Sequence, residues 1–244
     1  ELSRLAAQGR GFSRHDVDRI LDAQMEIIRR IVPTYCEMES RGQVELTTSP
    51  YYHPILPLLI DSHAALEASP HLPLPSSAYA HPEDAREQLR QAFASHQANF
   101  GRRPRGLWPS EGSVSQATAE ILAQMDGLCW IASDEGILAR SLGAWIERDG
   151  YGHVLNPGLL YQPYRLSAGD LSIVFRDRVL SDRIGFVYKH MPGVEAAADL
   201  LARLRQVRER LHADGRERER PHLVSIILDG ENCWEEYPDN GDPF

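Results

Sequence analysis

The chain has 244 residues, 42% hydrophobic and 25% charged, with a formal net charge of −9, enough apolar content to bury a full core and too evenly mixed to be disordered. The acidic balance argues against a nucleic-acid partner, because phosphate binding needs clustered basic surface and the one dense basic run, residues 216–220, alternates Arg with Glu as a solvated linker does. No apolar stretch approaches the roughly 20 residues that span a bilayer, so no membrane partner is expected.

Ser13 with Asp16 three residues on resembles a capping box, and Val17, Ile20, Leu21, Ile28, Ile31 and Tyr35 recur behind it at helical spacing, with a kink or restart expected at Pro33. After Gly42 the period shortens: Val44, Leu46, Thr47 and Thr48 make a β-prone run that stops at Ser49-Pro50, leaving Tyr51-Tyr52-His53-Pro54 just past a strand end. A second helix opens at Pro82 with Glu83 and Asp84 in its first turn. Residues 105–108 read as a short strand ended by Pro109, followed by a helix from Ser113 or Ser115, and Glu111 falls in the turn between them. Further strands are expected at residues 129–132, 171–175 and 223–228, with a periodic helix at residues 192–211. Strand and helix alternate almost throughout, the pattern of a parallel sheet covered by helices, closed or partly closed as a barrel. One domain is expected over residues 1–244.

Three widely spaced cysteines, Cys36, Cys129 and Cys233, suggest neither a disulfide framework nor a metal knuckle and point to a reducing, cytoplasmic compartment. Trp130, Trp145, Met125 and Met191 read as core, and His15, His63, His71, His81, His96 and His212 as surface.

Polar residues uncommon inside a fold, Glu45, His53, Glu111, Asp134, Asp177, Asp229 and Glu231, fall in or just after strand ends, which share one face in a parallel barrel and build its active site. Two carboxylates beside tryptophans suit glycoside hydrolysis: one acid protonates the leaving oxygen, one carboxylate attacks or activates water, and flat rings stack on sugar. Trp108-Pro109-Ser110-Glu111 and Asp229-Gly230-Glu231-Asn232-Cys233-Trp234 each offer that pairing, although a Glu at a helix start and an Asp-Gly turn also have purely structural uses.

Residues 42–45 (Gly-Gln-Val-Glu) leading to residues 51–57, then residues 106–111 (Gly-Leu-Trp-Pro-Ser-Glu), then Phe175-Arg176-Asp177 with residues 181–186, and finally residues 228–232, resemble in order the motifs of glycoside hydrolase family 57, the amylase, amylopullulanase and glucanotransferase group. The resemblance, nearest to amylopullulanase-like members, implies an α/β fold, an incomplete (β/α)7 TIM-like barrel. It also implies a retaining mechanism on α-glucans with a nucleophile at Glu111 and an acid/base at Asp229. Glu45, His53, Trp108, Glu231, Trp234, Arg176 and Asp182 are the expected substrate-binding residues; no cofactor and no metal are expected. The family's early His-Gln-Pro motif and its late helical region are missing, so truncation at both ends is expected. A 4-α-glucanotransferase or branching enzyme would use the same catalytic pair. From other classes stand a metal-dependent carbohydrate deacetylase, for which no His pair at i, i+4 is present, and a non-catalytic glucan-binding barrel.

Overall fold

In the computed structural model, which describes residues 2–213, 215, 221–230 and 234–244, the capping box forms as its residue types dictate. Asp16 N–H donates to Ser13 Oγ and Ser13 N–H donates to Asp16, opening a 27-residue helix. The chain runs through helices α1 (Leu2–Gln8), α2 (Arg14–Ser40), α3 (Leu56–Ile60), α4 (Ala65–Ala68) and α5 (Pro82–Phe100), then strand β1 (Gly106–Leu107) and α6 (Gln116–Leu122). There follow β2 (Trp130–Asp134), α7 (Glu135–Leu142), α8 (Pro157–Leu160), β3 (Tyr164–Arg165), β4 (Ser172–Arg176), α9 (Arg178–Asp182) and α10 (Gly193–Ala213). The restart expected at Pro33 does not occur: α2 continues through it as one helix, with the Thr34 hydroxyl bonded to the Arg30 carbonyl in the same turn.

β1, β2 and β4 are parallel neighbours in that order, and β3 pairs antiparallel with the start of β4. Two further segments extend the parallel sheet by single bridges, Thr48 beside Leu107 and Ser225 beside Arg176. Five parallel segments therefore stand in chain order, the arc of a barrel wall. The apolar run at residues 223–228, expected as a doubly buried strand, is realised as extended chain with that one bridge. Its Leu223 is 46% exposed, although its N–H donates to the Tyr161 carbonyl at 3.0 Å.

The register sorts the side chains into two faces. Leu107, Ile131, Ser133, Ile173 and Phe175 are buried and point, with the apolar residues, to a core that includes Leu89 and Phe93 of α5, Leu122 of α6, Leu138 of α7 and Val207 of α10. The opposite face carries the buried Gly106 together with Thr47, Trp108, Trp130 and Arg176, which are less buried. Gly106 is required there: a β-carbon on it would lie 2.4 Å from the Trp130 ring and 2.8 Å from Thr47 Cγ2. A second cluster of Ile184, Tyr188, Ala196 and Tyr237, with Leu228 and Phe244 against it, packs the last residues onto α10.

Candidate active site

The candidate residues gather at the carboxyl ends of the parallel segments. After Thr48 the chain turns at Pro50, where His53 N–H donates to the Pro50 carbonyl at 2.9 Å, and the Tyr51 and Tyr52 amides are held by the main chain and side chain of Gln88 on α5. After β1 the chain turns again at residues 109–113, closed by Gly112 N–H to the Pro109 carbonyl (2.8 Å) and Ser113 N–H to the Ser110 carbonyl (3.0 Å). The buried Ser133 hydroxyl donates to the Gly112 carbonyl at 2.6 Å, and Trp108 lies over Gly112.

His53 and Glu111 each adopt left-handed backbone, at φ 56° and 58°, a region that costs a side-chain-bearing residue about 1–2 kcal/mol. Only four non-glycine residues among those described do so, and these two meet: His53 Nε2 lies 3.5 Å from Glu111 Oε1. Both side chains are open to solvent, Glu111 at 73%.

On the next two strands, Asp134 and Arg176 occupy paired register positions and lie 3.4 Å apart. Arg176 also reaches Asp182 at 2.6 Å, and Arg178 pairs with Asp134. Burial pushes the Asp134 carboxyl up, but the Arg178 hydrogen bond, the Gly136 N–H and the charges of Arg178 and Arg176 outweigh it and hold the group below the usual carboxylate range. Beneath this row Arg148 bridges Glu135 and Asp177, and the Tyr161 hydroxyl donates to Asp177 at 2.6 Å; burial, with that carboxylate beside it, raises the phenol. Ser181 Oγ donates to the Asp177 carbonyl and accepts from Ile227 N–H, fixing the segment that carries Asp229. Asp229 is exposed and lines a cavity of about 20 Å³ with Arg176, Asp182, Phe186 and Leu228.

The structure thus brings His53 to Glu111, and Arg176 and Asp182 to Asp229, along one edge. It does not bring Glu45 there. Glu45 precedes Thr48 by three residues, toward the strand starts, and accepts the Trp130 indole N–H at 2.8 Å. Trp234 packs edge-on to Tyr237, with centroids 5.2 Å apart, and is 39% exposed. Glu231 and Cys233 lie outside the described residues. Two expectations are corrected. Trp145, expected in the core, is 83% exposed because it sits on the 145–156 hairpin, where its carbonyl rather than its ring is held, by Asn156. His96, expected on the surface, is a buried residue of α5, 3% exposed, with Nδ1 2.8 Å from the Arg102 carbonyl. Sequence reasoning missed Ser133 and Arg148: the one is a small polar residue inside an apolar strand, the other lies far from any strand end. A serine within an otherwise buried strand was the available signal.

A family model described as glycosyl hydrolase family 57 matches residues 11–244. No curated protein matches. Among solved structures, a GH57 branching enzyme from Thermococcus kodakaraensis, in complex with glucose and additives, matches with a TM-score of 0.57 at 15% identity, over 88% of this chain and 45% of that one. A GH57-type branching enzyme from Pyrococcus horikoshii (TM-score 0.47, 19% identity, 72% of this chain and 30% of that one) and the alpha-amylase AmyC from Thermotoga maritima (0.47, 18%, 74% and 29%) are also similar. The chain spans less than half the length of each. The motif order, the parallel arc and the family match over nearly the whole chain agree, and the chain belongs to glycosyl hydrolase family 57.

Proposed function

We propose that the chain is part of the single catalytic domain of a retaining enzyme acting on α-glucans, with Glu111 as nucleophile and Asp229 as acid/base. The observation that carries this reading is Glu111 itself: a carboxylate held by a strained turn at the carboxyl edge of a parallel sheet, open to solvent and faced by His53 at 3.5 Å. The family match, and the similar branching enzyme from Thermococcus kodakaraensis solved in complex with glucose, support the substrate class.

In the first step a Glu111 oxygen forms a bond to the anomeric carbon as the glycosidic C–O bond breaks, and Asp229 gives its proton to the departing oxygen. In the second, Asp229 takes a proton from water or from a sugar hydroxyl, whose oxygen displaces Glu111; water gives hydrolysis and a sugar gives transfer. Glu111 leaves β1 and Asp229 leaves the segment beyond β4. That is three strand spacings, about 14 Å along the sheet at about 4.8 Å each, which two side chains converging over a concave face can close. Trp108, Trp234 and Glu231 are proposed as sugar contacts, with Arg176 and Asp182 beside the acid. Glu45, at the other end of the strands, is better placed to support Trp130.

The test is Glu111→Gln and Asp229→Asn in the full-length protein. Loss of the acid lowers turnover of maltooligosaccharides by about 10²–10⁴-fold, and a glycosyl fluoride, which needs no leaving-group proton, restores the first step for Asp229→Asn and not for Glu111→Gln. Full activity in Glu111→Gln overturns the reading, as does an inverted anomer by NMR. Products longer than the substrate identify transfer.

A further inference from the structure

We propose that His53 is the positioning residue of the nucleophile: it donates from Nε2 to Glu111 Oε1, fixing which carboxylate oxygen faces the anomeric carbon. This rests on the reading of Glu111 as nucleophile and gives His53 a task other than contacting sugar hydroxyls. Three observations converge. The two residues follow neighbouring strands, joined where Thr48 bridges Leu107, so their turns are adjacent by construction of the sheet. Both turns are pinned from outside, the first by Gln88 on α5 and the second by the Ser133 hydroxyl, so neither side chain is free to drift with its loop. Both residues hold left-handed backbone that packing elsewhere maintains, and that backbone sets the two side chains 3.5 Å apart. Hydrogen bonds of catalytic groups often stand long in the unliganded enzyme and tighten when substrate expels water. One such bond leaves Oε2 as the attacking atom and limits rotation of the carboxylate, whose misplacement by about 1 Å costs on the order of 10²-fold in rate.

The experiment uses a fluorinated maltosyl fluoride whose glycosyl-enzyme is long-lived. Glu111 forms the C–O bond, the C–F bond breaks and fluoride leaves, so the acid takes no part. Peptide mapping locates the label, and the rate of labelling reports the nucleophile. In the full-length protein His53→Ala is expected to lower the labelling rate constant by about 10- to 100-fold with half-saturation changed little. His53→Gln, which keeps an N–H donor, is expected to recover much of it. His53→Gly suits the left-handed backbone and so tests imidazole apart from folding; added imidazole is expected to raise its labelling rate in a saturable way. Label on Glu111 with a His53→Ala rate within twofold of the parent overturns the proposal and leaves the nucleophile reading standing. A lowered rate that neither His53→Gln nor imidazole restores also overturns it, since a merely structural role would behave so. Label on another residue, or none, overturns both.

Discussion

Ser133 contributes one methylene-borne hydroxyl to the Glu111 turn, and its position inside a buried strand makes that hydroxyl difficult to replace. Ser133→Ala leaves the Gly112 carbonyl without its buried donor, a loss of about 1–3 kcal/mol. The expected result is a lower urea midpoint at unchanged m-value, with a fall in turnover larger than the fall in substrate affinity, because the turn carries the proposed nucleophile. Asp149 makes a different kind of claim. It accepts the Tyr151 and His153 amides, pairs with the His153 ring at 3.0 Å and with Arg210 at 2.9 Å; burial raises its carboxyl, but these partners prevail and hold it at about 2. Its folded value lies below the unfolded value of about 3.9, so its contribution to stability is complete above about pH 4 and is lost as the pH falls toward 2. Denaturation of Asp149→Asn from pH 6 to 2.5 should show a stability gap to the parent that narrows with acid; a constant gap refutes the assignment.

At the scale of elements, two strands pass into helices with no loop between. Asp134 ends β2 and caps α7 by accepting from Gly136 N–H, and Asp177 does the same between β4 and α9, accepting from Leu180 N–H. This explains how far the site was legible in the sequence. Polar residues at strand ends form one group in the sequence, yet they have two causes: Asp134 and Asp177 cap helices, whereas His53 and Glu111 stand on left-handed turns and face each other. Periodicity separated strands from helices well because apolar spacing is local; it was silent on the left-handed turns and on the reach of Arg148, which are set by neighbouring strands. The shortest strand shows the same dependence. β1 has two residues, and Gly106 is there to admit the Trp130 ring. Gly106→Ala pushes a methyl against that ring and is expected to cost about 1–3 kcal/mol, seen as a lowered thermal midpoint; an unchanged midpoint would show that Trp130 yields freely.

The whole molecule presents an imbalance between its two halves. The helices around the sheet bury their apolar faces, whereas α2 has no fully buried residue and exposes Val17, Leu21, Ile28, Ile31 and Tyr35 by 42–56% along one side. A patch of that kind is a site of association for any chain that carries it uncovered. The isolated 244-residue chain is expected to show concentration-dependent light scattering, reduced by Leu21→Glu with Ile28→Lys; scattering independent of both substitutions would place the sticky surface elsewhere. The turn at Glu111 has a consequence of another sort, one that concerns selection. Asn is far better suited to left-handed backbone than Glu, so Glu111→Asn should abolish turnover and yet unfold at a temperature equal to or above that of the parent. A lineage freed from the need for activity would be expected to drift away from Glu at this position, and the persistence of Glu111 in a working enzyme would record a standing trade of fold stability for chemistry.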